Sequence, residues 1–195
     1  LSMGIAKRLT IPDDFFVFQS SVSFQFYDLN NYNTGLFTFG NGSSRNLAYT
    51  LGLSRNNKGV NPIFPTSGSE FSVSAKLTPP YSLFSKTNYA TLGDLEEFKY
   101  RHVGTTYAGT DGVLVNEGDL VEALPSAENP TPNRVTNIQD AAADPSKVDQ
   151  EKFNWLEYYK VKFKADWYTK LYGKLVLRSL SEFGFMGAYN QNRGS

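Results

Sequence analysis

The chain has 195 residues, with nineteen basic and nineteen acidic side chains and a formal net charge of zero, so no basic patch points to nucleic acid. It has no cysteine, which excludes a disulfide framework and any thiolate metal site. Aromatics reach 15 % while mean hydropathy is only −0.39, and no run approaches the ~18 apolar residues of a membrane helix. Strands that put apolar side chains on one face and polar ones on the other give such an average, in a barrel wall or in a soluble sandwich.

Helical periodicity is scarce along the chain, whereas period-two alternation recurs. Gly4 to Leu9 reads as the end of a strand too short for its faces to be assigned. Val17 to Leu29 is the clearest strand. Phe18, Val22, Phe24 and Phe26 fall on one face, and Gln19, Ser21, Ser23, Gln25 and Tyr27 on the other. In Asn46 to Arg55, Leu47, Tyr49, Leu51 and Leu53 oppose Ala48, Thr50, Gly52 and Ser54. In Ser69 to Thr78, Phe71, Val73, Ala75 and Leu77 oppose Ser72, Ser74, Lys76 and Thr78. Trp155 to Tyr168 sets Tyr159, Val161, Phe163, Ala165 and Trp167 against Lys160, Lys162, Lys164 and Asp166. Leu175 to Tyr189 is less regular: Leu175, Leu177, Phe183 and Phe185 share a face with Ser179 and Ser181, opposite Arg178, Glu182 and Gly184.

The links between these six segments alternate. Thr10 to Phe16, Asn56 to Gly68 and Thr169 to Lys174 are short, while Asn30 to Arg45 and Pro79 to Asn154 are long, and another link opens after Asn190. Tight turns on one rim and long loops on the other characterise outer-membrane barrels. The predicted fold is all-β: an antiparallel transmembrane β-barrel segment of one domain, 1–195, carrying a long extracellular loop insertion. Segments of ten or more residues are long enough to cross the hydrocarbon layer, which takes about 9–11 at barrel tilt. On this reading Phe18, Val22, Phe24, Phe26, Leu47, Tyr49, Leu51, Leu53, Phe71, Val73, Leu77, Val161 and Phe163 face lipid. Gln19, Ser21, Ser23, Gln25, Lys160, Lys162, Lys164, Arg178 and Glu182 face a wet lumen. The lysines decide the orientation, since a Lys at bilayer mid-depth costs about 2–4 kcal/mol. Tyr27, Tyr32, Trp155, Tyr158, Trp167, Tyr168 and Tyr172 gather near strand ends, as interfacial aromatics do.

Six strands are too few to close a bacterial barrel, whose minimum is about eight, so further strands are expected. The chain opens at Leu1 inside a strand-like pattern and ends at Ser195 in a polar stretch. Both ends read as cuts through a longer protein.

The segment from Leu53 to Phe71 contains Phe64, Pro65, Thr66, Ser67 and Gly68. It resembles the aromatic-Pro-Thr-x-Gly turn of BamA-type outer-membrane protein insertases. Leu77 to Phe84, Trp155 to Phe163 and Leu175 to Tyr189 resemble the Bacteroidetes version of that barrel. The likeness covers most of the chain outside 85–152. It implies middle-to-late strands of a barrel of about sixteen, an even number of the kind such barrels use. The periplasmic POTRA domains, the Arg-Gly-Phe loop and the first and last strands lie outside this sequence. The implied function is folding and insertion of outer-membrane proteins in the bacterial outer membrane. Its partners would be the lipid bilayer, nascent outer-membrane proteins and accessory lipoproteins of the assembly complex. A porin or transport channel is the alternative.

No enzyme or cofactor chemistry is expected. His102 is the single histidine, so a multi-His metal site is excluded, and its place in the polar insertion does not point to a His-based triad. Asp13-Asp14 and Glu96-Glu97 are adjacent pairs that read as solvated turns or loops. Asp111 to Asp119 has oxygen donors without the spacing of an EF-hand. The 85–152 insertion mixes apolar pieces (Val113 to Val115, Leu120 to Leu124) with a Pro/Asn/Ala-rich half, Pro125 to Pro145. Loops beyond ~12–15 residues are usually functional or disordered. The expectation is a partly ordered surface loop that caps the barrel mouth or docks a surface partner.

Overall fold

A computed structural model describes residues 1–31, 39–59 and 65–193. Six strands form one antiparallel meander: β1 (Ser2–Arg8), β2 (Phe16–Leu29), β3 (Gly42–Asn56), β4 (Gly68–Leu77), β7 (Tyr159–Tyr172) and β8 (Leu175–Gly187). Each strand pairs with its sequence neighbour. β1 and β8 remain as unjoined edges, so the sheet is open among the described residues. No described helix is long and apolar enough to cross a membrane.

Between β4 and β7 the chain forms the insertion, with the one-turn helix α1 (Tyr81–Phe84), a small ribbon of β5 (Tyr107–Ala108) and β6 (Leu114–Val115), and helix α2 (Pro145–Phe153). The start of α2 is chemically defined. Asp144 accepts hydrogen bonds from the backbone N–H groups of Ser146 and Lys147, at 3.0 and 3.4 Å, and Pro145 follows as the first helical residue.

Three boundaries differ from the sequence reading by four residues each, the others by two or fewer. β7 starts at Tyr159, because Trp155 leaves the ladder to bridge Arg45. It then runs to Tyr172, because Gly173, at φ +56°, opens a two-residue turn that lets pairing continue to Tyr172 opposite Leu175. β3 starts at Gly42, where pairing with Leu29 begins. The link 30–41 is therefore hardly longer than the link 57–67, and the contrast in link length rests on 78–158. Tyr32 and Phe64 lie outside the described residues.

The most completely buried large side chains are not in the sheet's strands. Leu92, Val115, Val121 and Pro132 of the insertion, with Phe39 of the β2–β3 link, are all below 2 % exposed. The sheet by contrast leaves Val22, Phe26, Trp167, Phe183 and Phe185 about half exposed. The insertion thus has buried side chains of its own.

Candidate functional site

The register joins the five long strands into two continuous faces. Phe18 lies opposite Leu53, Leu53 opposite Val73, Val73 opposite Phe163, and Phe163 opposite Phe183. A second row runs Ser20, Leu51, Ala75, Val161, Phe185. Val22, Phe24, Leu47, Tyr49, Leu77 and Phe71 fall on this same apolar face, which β1 extends with Met3 opposite Val22 and Ile5 opposite Ser20. A slip of one residue in any strand would send its apolar set to the other side. Every strand whose pattern was assigned separately in the sequence thus joins the others in phase. Rings meet across it, Phe163 with Phe183 at 5.1 Å and Phe16 edge-on to Phe71 at 5.6 Å.

The apolar face has charged limits. On β3 the four residues Leu47, Tyr49, Leu51 and Leu53 lie between Arg45 and Arg55. Arg45 places its guanidinium 5.5 Å from the Phe26 ring and 5.7 Å from the Trp155 ring. Arg55 lies 5.7 Å from Phe15 and from Phe16 and pairs with Asp13 at 2.7 Å. Asp13 is therefore an ion-pair partner, not merely a solvated turn residue. The hydrogen bond from Arg55 holds its carboxyl below the ordinary range, against a smaller opposing effect of burial.

The other face carries Gln19, Ser21, Ser23 and Gln25 opposite Gly52, Thr50, Ala48 and Asn46. Lys160, Lys162 and Lys164 lie opposite Lys76, Ser74 and Ser72 on one side, and opposite Met186, Gly184 and Glu182 on the other. Asn46 donates to Gln25 Oε1 at 3.1 Å. The alternation is imperfect on β8, where Leu180 and Met186 share this polar side with Arg178 and Glu182.

At the short-turn end the polar face holds a charge cluster that the sequence reading missed. The Asp166 carboxylate, 3 % exposed, accepts from Arg178 Nε and Nη2 at 2.9 and 3.1 Å. Lys58 Nζ and the Tyr168 hydroxyl each reach Asp166 Oδ2 at 3.2 Å, and Lys58 also pairs with Glu70. The Glu70 carboxylate keeps the Lys58 ammonium above its ordinary range, outweighing desolvation. A signal was present, since Asp166 is the one acid in the Lys160-to-Tyr168 alternation; the structure sets it two register positions from Arg178.

That cluster ties Lys58, just past β3, to the wall, and Gly68 opens β4. Its φ of +100° and the Asn57 carbonyl oxygen, 2.3 Å from where a Cβ would stand, leave room for glycine alone. Asn57 Oδ1 accepts from the Ser69 backbone N–H at 2.7 Å, and Arg55 donates to Ser69 Oγ at 3.2 Å. Pro65 and Thr66 of the turn element line a recess with Tyr168 and Arg178 of the cluster, while Phe64 is outside the described residues.

The remaining candidates are structural in their contacts. His102 is buried, hydrogen-bonded through Nε2 to the Thr105 carbonyl at 2.9 Å and packed edge-on to Tyr107. Glu96 pairs with Arg101 at 3.0 Å. Asp111 and Asp119 accept from the backbone of Val113 and Asn116. No group of three metal-ligating side chains occurs among the described residues.

No protein-family model, curated protein or solved structure matches the chain.

Proposed function

We propose that this chain is part of the wall of a transmembrane β-barrel in the bacterial outer membrane, and that the barrel is of the BamA insertase type. The observation that carries the membrane assignment is the in-phase apolar face. It spans the whole sheet, has no covering layer among the described residues, and lies opposite a face bearing Lys76, Lys160, Lys162 and Lys164. An uncovered apolar face of this extent needs an apolar surrounding. Water on the lysine side and hydrocarbon on the other satisfies both.

The dimensions support it. Arg45 and Arg55 are ten residues apart on β3, about 33 Å at strand rise, and a tilt of about 40° reduces that to about 25 Å, the height of a barrel's apolar band. The open β1 and β8 edges call for further strands, because unpaired backbone in hydrocarbon is costly.

The insertase reading draws on the turn element at Phe64 to Gly68 and on the likeness of the last strands. A protein of that type presents a weakly paired seam to which a nascent strand adds its backbone hydrogen bonds. This stretch supplies wall and surface loops instead of the seam. Nascent outer-membrane proteins, accessory lipoproteins and a surface partner at the 85–152 insertion would be its contacts. The basic strip of Lys76, Lys160 and Lys164 favours a second reading, a channel for anionic solutes. Full-length protein reconstituted in liposomes separates the two. Faster folding of an added unfolded barrel protein supports the insertase, and solute leakage without it supports the channel.

A further inference from the structure

We infer that α1 is a membrane-interface anchor outside the sheet: Leu83 and Phe84 enter the acyl-chain boundary of the leaflet at the long-loop rim. The inference rests on the membrane reading above and adds a lipid contact made by a loop. Helix α1 is a single turn held rigidly on its inner side. The buried Ser82 donates from its backbone N–H and its hydroxyl to the two oxygens of the Glu157 carboxylate, at 2.7 and 2.6 Å. Glu157 is fixed in turn by Arg193 at 2.8 Å, an ion pair almost closed to solvent. Tyr81 packs on Trp155 with ring centres 4.9 Å apart. The two side chains left over are Leu83, 70 % exposed, and Phe84, 82 % exposed.

Their position names the occupant. Phe26 and Arg45 are opposed residues at the last rung of the apolar face, and Arg45 links the Phe26 ring to the Trp155 ring. Trp155 carries Tyr81, the first residue of α1. The apolar face therefore continues through a chain of stacked groups into α1 without a break. Trp and Tyr beside an arginine whose guanidinium lies over two aromatic rings suit the level between headgroup and tail. Lipid is thus the medium that reaches Leu83 and Phe84.

Nitroxide labels on single-cysteine variants of the full-length protein in phospholipid vesicles test this, read by collision with oxygen, which favours hydrocarbon, and with a water-soluble nickel chelate. The variants are Phe84→Cys on α1, Phe163→Cys on the apolar face and Val103→Cys on the insertion surface; Phe84 and Val103 are too exposed for their loss to threaten folding. The expected order of the oxygen-to-nickel ratio is Phe163→Cys, then Phe84→Cys, then Val103→Cys, with Phe84→Cys on the lipid side of Val103→Cys. A Phe84→Cys ratio equal to that of Val103→Cys, with Phe163→Cys still in lipid, overturns the anchor alone. A water-like Phe163→Cys overturns the membrane reading and the anchor with it.

Discussion

The sheet and the insertion solve the same problem in opposite ways. The sheet has a regular ladder-paired backbone, open only at its β1 and β8 edges, and side chains that remain largely uncovered. The insertion has an irregular backbone, held by isolated bridges such as Lys99–Ala143, Arg101–Leu120 and Val121–Arg134, around side chains shut off from solvent. It even buries Lys99, whose ammonium donates to the Ala141 carbonyl at 2.8 Å. On the proposed membrane reading, one region takes its apolar medium from outside and the other builds its own. The difference teaches that regular secondary structure and a packed core are separate sources of order.

The contrast is broken most strongly from the insertion side. Leu92→Ala removes a side chain that is 1 % exposed, and Leu-to-Ala changes in packed cores cost about 2–5 kcal/mol. Limited proteolysis of the full-length protein in membranes should then cut within 85–152 while the heat-modifiable mobility of the barrel is unchanged. The second perturbation targets the sheet. Phe163→Arg should lose about 2–4 kcal/mol in lipid, read as a lower urea midpoint, whereas Val103→Arg on the insertion surface should stay within about 0.5 kcal/mol.

Smaller effects sharpen the account at the short-turn rim. Gly68→Ala forces a Cβ against the Asn57 carbonyl at positive φ, a strain of about 1–3 kcal/mol, and should slow refolding into vesicles. The Asp13–Arg55 pair gives the smallest and most conditional change. Because Asp13 has a carboxyl pKa lowered by Arg55 in the folded chain, its stabilisation is complete at neutral pH. It is lost as pH falls through that lowered value. Asp13→Asn should flatten this acid-side part of the stability curve and lower stability by a small constant amount at neutral and alkaline pH.

The sheet was legible because strand alternation is local: each of Val17 to Leu29, Asn46 to Arg55 and Ser69 to Thr78 carries its own period of two, and antiparallel neighbours then fall into phase. Strand ends were less legible, since Trp155 leaves the ladder for Arg45 and Gly173 prolongs β7, both effects of partners distant in sequence or of one backbone angle. The insertion was hardly legible at all. Its buried Leu92, Val115, Val121 and Pro132 have no repeat to mark them, and the helix that Asp144 caps was not read from the sequence. The Asp166 cluster was half visible, as a lone acid among lysines, and its partner Lys58 comes from another turn.

The most direct test is a scan of β7 by water-soluble maleimide, with cysteine placed singly at 160–165 in full-length protein reconstituted in vesicles. Labelling should alternate, fast at Lys160, Lys162 and Lys164 and blocked at Val161, Phe163 and Ala165. Equal labelling of both sets would contradict a wall with lipid on one side and water on the other.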